Sequence, residues 1–115
     1  MTDYTKLTER EINEAVAIEK FGNYQDFYLD KSGSYVCGVR YVGMRFNFAP
    51  TRDEYQWTPL LEELRELGNV MMDNESVGLI PKPAAEMKIV KADTLGKAIC
   101  ILWLMVKEVG NNEKL

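Results

Sequence analysis

The sequence predicts one α+β domain: a largely antiparallel sheet of three to five strands, with three helices packed on it and helix 94–109 the most buried. Three observations predict it. Three segments carry helical spacing of apolar residues with capping or stop residues at their ends. Short β-branched and aromatic runs follow one another in hairpin order, without clean βαβ alternation. At 115 residues, the chain is long enough for one core without disulfides or a structural metal.

The first helix has the clearest start. Thr8 and Glu11 stand at capping-box spacing, and Leu7 and Ile12 occupy the positions of a hydrophobic staple. Ile12, Ala15, Val16 and Ile18 give its apolar stripe, and Gly22 is the expected C′ residue. Phe27–Leu29 reads as a short strand and Asp30–Gly33 as a turn. Tyr35–Val42 reads as a strand interrupted at Gly38. Met44, Phe46 and Phe48 alternate with Arg45 and Asn47, the period of a strand with one buried face. Gly38 and Gly43 are expected to mark a bulge or bend.

Residues 50–57 read as a loop, because Thr58 is a good N-cap and Pro59 a good first helical residue. The second helix then turns Leu60, Leu61, Leu64 and Leu67 inward and Glu62, Glu63, Arg65 and Glu66 outward, and Gly68 closes it. Val70–Met72 and Met87–Val90 are expected strands, and residues 73–85 are expected to be irregular. Asp93 is the expected N-cap of the third helix. Ile99, Leu102, Val106 and Val109 hold helical spacing within a run apolar nearly all round, so this helix should be central. Gly110 is the expected stop, with residues 111–115 a flexible tail of the single domain 1–115.

Composition narrows function. Fourteen basic residues stand against eighteen acidic ones, a net charge of −4, and residues 1–57 and 58–115 each carry 7 against 9. Basic residues this scattered argue against nucleic-acid binding. There is no histidine, which removes the commonest general base, metal ligand and nucleophile activator. Cys37 and Cys100 lie far apart in apolar contexts, which suits buried free thiols, with a disulfide between them the alternative. The polar opening Met1–Tyr4 and a longest apolar run of nine residues, Ala98–Val106, point to a cytoplasmic protein without a membrane span. No cofactor motif is present: Gly38 and Gly43 lack the Lys and Ser/Thr of a phosphate-binding loop. Binding is therefore favoured over catalysis, and no catalytic or metal-ligating residue is assigned.

The segment Arg52–Trp57 gathers a guanidinium, two carboxylates and two aromatic rings before a helix start. Helix N-termini attract anions, and arginine with aromatics suits a binding hot spot. The candidate binding residues are Asn47, Arg52, Asp53, Tyr55 and Trp57. The competing reading is structural, with Trp57 filling the space between helix and sheet and Arg52 paired to a neighbouring carboxylate. Glu62, Glu63 and Glu66 read as a solvated helix face. Tyr24, Tyr28, Tyr35, Tyr41 and Tyr55 read as half-buried packing, with a stacking platform for bases as the alternative. Met71 and Met72 read as core filler.

Several segments resemble the small phage and prophage proteins of the NinX-like kind, and the similar phage α-β-α sandwich domain family. The opening Met1–Glu9, with Glu11–Asn13 and Ala15–Ala17, is similar to their first helix. Phe46–Thr51 followed by Trp57–Leu61 resembles their strand and second helix, and Leu95–Cys100 with Trp103–Leu104 their closing helix. The resemblance implies an accessory protein of a mobile element, with no catalytic residue to carry over. The leading expectation is a small cytoplasmic protein that binds a host protein or a small ligand. The alternatives are a nucleotide-binding sponge, a small hydrolase using carboxylates and Tyr, and a homodimer or larger homo-oligomer closed by apolar helix surface.

Overall fold

The computed structural model describes residues 3–22, 27–30, 35–41, 43–82 and 86–113. After a 3₁₀ turn at Tyr4–Lys6, helix α1 spans Glu9–Phe21 and leads into strands β1 (Tyr28–Asp30), β2 (Cys37–Tyr41) and β3 (Met44–Phe48). Helix α2 (Glu54–Leu67) then leads into β4 (Gly68–Met72), β5 (Ser76–Pro81) and β6 (Lys88–Lys91), and α3 (Leu95–Glu113) closes the chain. The fold is α+β. Its strands form two three-stranded antiparallel meanders, β1-β2-β3 and β4-β5-β6, rather than one sheet. The chain thus runs a helix and a meander twice, then a final helix.

The predicted capping box of α1 is present. Thr8 Oγ1 accepts from the Glu11 N–H at 3.2 Å, and Glu11 Oε1 accepts from the Thr8 N–H at 2.9 Å. Ile12, Val16 and Ala17 are buried, whereas Ile18 is 54% exposed. Gly22 is the C-cap rather than the expected C′ residue, in right-handed conformation, its N–H donating to the Ile18 carbonyl. In the first sheet Gly38 pairs regularly with Asp30 and Asn47 and forms no bulge. The bend falls at Gly43, whose φ of 77° belongs to the left-handed region that glycine tolerates. The Lys31–Gly33 part of the expected turn, Val42 and Tyr24 lie outside the described residues.

The second helix begins five residues earlier than the Thr58–Pro59 signal predicts. Asp53 is the N-cap, its Oδ1 accepting from the Tyr55 N–H at 2.9 Å, and Glu54–Trp57 form the first turn rather than a loop. A carboxylate cap can outcompete a later threonine when the intervening residues tolerate helix. Pro59 sits inside α2, exposed, and forgoes one backbone bond. Leu60, Leu61 and Leu64 are buried as expected; Leu67 is 43% exposed. Gly68 ends the helix in extended conformation, where a side chain would collide with the Ile80 carbonyl of β5.

The stretch 73–85 contains a strand. Val77 and Leu79 of β5 are buried, and all six residues of β5 pair across to β4 or β6. Gly78 and Pro81 masked this strand, because both residue types disfavour sheet in isolation. The N-cap of α3 is Thr94 rather than Asp93. Thr94 Oγ1 accepts from the Lys97 N–H, while Asp93 forms an exposed ion pair with Lys97. The helix continues through Gly110 to Glu113, since one glycine weakens a helix without breaking it.

Helix α3 packs against α1, α2, β5 and β6. Seven consecutive residues, Ala98–Leu104, are each at most 4% exposed, so burial surrounds the helix on all sides. The other pole of the core is aromatic: the Phe21 ring meets Phe46 and Phe48 edge-on at 5.8 and 5.5 Å. Cys37 and Cys100 are buried free thiols. Burial pushes the Cys37 thiol up to about 11 and Cys100 higher still, which leaves both unreactive. No helix among the described residues is long and apolar enough to cross a membrane.

Candidate functional site

The segment singled out in the sequence is a junction that ties four elements together. Thr51 is fully buried; its N–H donates to Asn13 Oδ1 at 3.1 Å and its hydroxyl to Glu9 Oε2 at 2.8 Å. Asn13, also fully buried, donates from Nδ2 to Thr51 Oγ1 and to the Tyr35 carbonyl. The Thr51 carbonyl accepts from Thr94 Oγ1 at 3.1 Å. A side chain at Gly96 would collide with that carbonyl and with Trp57, so glycine lets the start of α3 close onto this corner.

Arg52 reaches α1. Its Nε and Nη2 donate to Glu9 at 2.7 and 3.0 Å, and its guanidinium lies 3.9 Å from the centre of the Tyr35 ring. Hydrogen bonding from Arg52 holds the Glu9 carboxyl below its ordinary range, with Thr51 adding to the effect and burial opposing it. Asp53 is occupied as the α2 cap. Trp57 is half-buried against the core. Gln56 donates to the Asn47 carbonyl at 2.8 Å and accepts from the Ala49 N–H. Tyr55 is 91% exposed and stands apart. The five predicted binding residues therefore do not converge on one cavity, and the polar groups of Arg52 and Asp53 are engaged within the fold.

A groove does lie nearby, on the outer face of the first sheet. Its volume is about 530 Å³, within the usual range for ligand sites, and Tyr28, Gly38, Arg40, Arg45 and Asn47 line it together with Leu29, Val39 and Phe46. The geometry follows from strand register. Tyr28 pairs with Arg40 and Arg40 with Arg45, so the three side chains form one row across the sheet on the same face. Asp30, Gly38 and Asn47 pair on the adjacent rung. Leu29, Val39, Phe46 and Phe48 point the other way and pack on the core.

Arg40 and Arg45 are directly opposite and both exposed. Like charges in this relation repel. Neither has a carboxylate partner among the described residues, unlike Arg10 and Arg52. Tyr28 is 60% exposed at the end of the row. Of the residues predicted from sequence, Asn47 alone belongs to this groove. Tyr28 was read as half-buried packing with base stacking as the alternative; Arg40 and Arg45 were missed, although a tight turn at Gly43 is the signal that puts Arg40 against Arg45. No cluster of metal-ligating side chains occurs among the described residues. The fold and this groove define the chain as an α+β domain with a basic, aromatic-edged sheet face. No protein-family model matches the chain, and no curated protein or solved structure matches it significantly.

Proposed function

We propose that this chain is a binding protein that takes a small anionic ligand on the outer face of its first sheet. The observation that carries the reading is the cross-strand pair Arg40–Arg45, without a carboxylate partner among the described residues and set in a groove of about 530 Å³. An anion between two guanidiniums turns their repulsion into two charge-assisted hydrogen-bonded contacts. Gln56 holds the Asn47 backbone, and the sheet ladder fixes Arg40 and Arg45 in register, so the face is organised before a ligand arrives. A phage or prophage origin, and a cytoplasmic setting, rest on the sequence resemblance and composition alone.

Calorimetric titration with inorganic pyrophosphate tests the reading. Saturable binding to the wild-type chain is expected, weakened at least about tenfold in Arg40→Gln and in Arg45→Gln, the loss of roughly one charge-assisted bond. Equal binding by all three proteins, or none by the wild type, removes the groove from the argument.

A further inference from the structure

We infer that the ligand of this face is a nucleoside phosphate, held with its phosphate between Arg40 and Arg45 and its base against Tyr28 over Gly38; this rests on the anion-binding reading above. The row Tyr28–Arg40–Arg45 places an exposed ring at one end and two cations at the other, across three strands about 10 Å wide in total. A ligand that satisfies the whole row needs a flat π-face joined to an anion. Asn47, on the neighbouring rung, offers an amide donor and acceptor of the kind that reads a base edge.

The second sheet shows that the space above Gly38 is not a general result of the meander. Gly78 also lies in the middle strand of its sheet, between Met71 and Ile89. There the gap is filled by the protein itself: a Cβ on Gly78 would meet Met87 Cε at 3.2 Å and Ile89 Cγ1 at 3.6 Å, and Gly78 is buried. Gly38 is instead part of the floor of an open groove edged by charge and an aromatic ring.

A single nucleotide fits these features better than a nucleic-acid strand. Strand binding uses successive aromatic platforms along a basic track. The groove carries one exposed ring and two arginines, on a chain whose net charge is −4.

The test is titration of the full chain with AMP, ribose 5-phosphate and a dT decamer, followed by calorimetry and by amide chemical shifts of β1–β3. AMP is expected to bind about tenfold more tightly than ribose 5-phosphate, the contribution of stacking one base. Tyr28→Ala is expected to abolish that difference while leaving ribose 5-phosphate affinity unchanged, and Tyr28→Phe to preserve it. Equal wild-type affinity for AMP and ribose 5-phosphate overturns the nucleoside inference and leaves the anion reading standing. Absence of binding by both overturns both. Tighter binding of the dT decamer than of AMP overturns the inference in favour of a strand. Tyr28 is exposed, and circular dichroism of each variant separates lost binding from lost fold.

Discussion

The two meanders share a strand order and each carries a glycine in its middle strand, yet they present opposite surfaces to solvent. Gly38 lies between Asp30 and Asn47, beside the row Tyr28–Arg40–Arg45. Around Gly78 stand Met71, Met87 and Ile89, with exposures of 48, 39 and 64%. The inner faces are alike in kind: Val39 and Phe48 in one, Val77, Leu79 and Val90 in the other, all buried. The backbone and inner face thus supply a stable platform twice, and the outer-facing residues decide what each platform can do. In the second sheet the glycine gap is closed by flexible apolar side chains. In the first the glycine lines a groove beside Arg40 and Arg45.

The halves also differ in how the helix is fastened. Helix α2 is held by Leu60, Leu61 and Leu64 with part-buried polar contacts from Gln56 and Glu63, whereas α1 adds the fully buried pair Asn13 and Thr51, joined at the surface by Glu9 and Arg52. The largest expected effect therefore belongs to Asn13→Ala. It leaves the Thr51 N–H and the Tyr35 carbonyl without their partner inside the protein, and should destabilise by about 3 kcal/mol in denaturant titration. A loss below about 1 kcal/mol would show that water replaces the amide and that the junction is dispensable.

The two glycines give the next contrast. Gly78→Val must push Met87 and Ile89 aside and should cost about 2 kcal/mol. Gly38→Val should leave stability within about 1 kcal/mol, because valine suits a strand and the groove has room. The same change should abolish pyrophosphate and AMP binding. Equal destabilisation by the two substitutions would erase the distinction between a filled and an open gap.

A smaller effect is expected from Glu9. Its carboxyl titrates below the unfolded value of 4.5, so its contribution is present above that pH and is lost as the pH falls through the lower folded value. Glu9→Gln should therefore lower stability at pH 7 and flatten its decline below pH 4.5, as read from urea midpoints across that range. A decline as steep as in the wild type would assign acid sensitivity to other carboxylates. The smallest effect has the opposite sign. Arg40→Gln should raise the stability of the ligand-free protein by about 0.5 kcal/mol by relieving the cross-strand repulsion. A decrease would mean that Arg40 has a stabilising contact and is not held ready for an anion.

Local chemistry determined much of this protein. The Thr8–Glu11 capping box, the alternation of Met44–Phe48 and the all-round apolar run of α3 each depend on near neighbours, so their signals survive in the sequence. Tertiary structure decided the rest. Strand β5 exists because β4 and β6 pair with it on both sides, which overrides the poor strand propensity of Gly78 and Pro81. Helix α2 starts at Glu54 because Asp53 caps it and Gln56 bonds back to β3, contacts that the favourable Thr58–Pro59 pair conceals. The candidate site belongs to the same class. Arg52 read in sequence as a binding group or as paired to a neighbouring carboxylate but reaches Glu9, 43 residues away, while Arg40 and Arg45 become a pair only once the hairpin register is set. Patterns that repeat along the chain can be read from it, but which charges find partners depends on long-range packing and strand register.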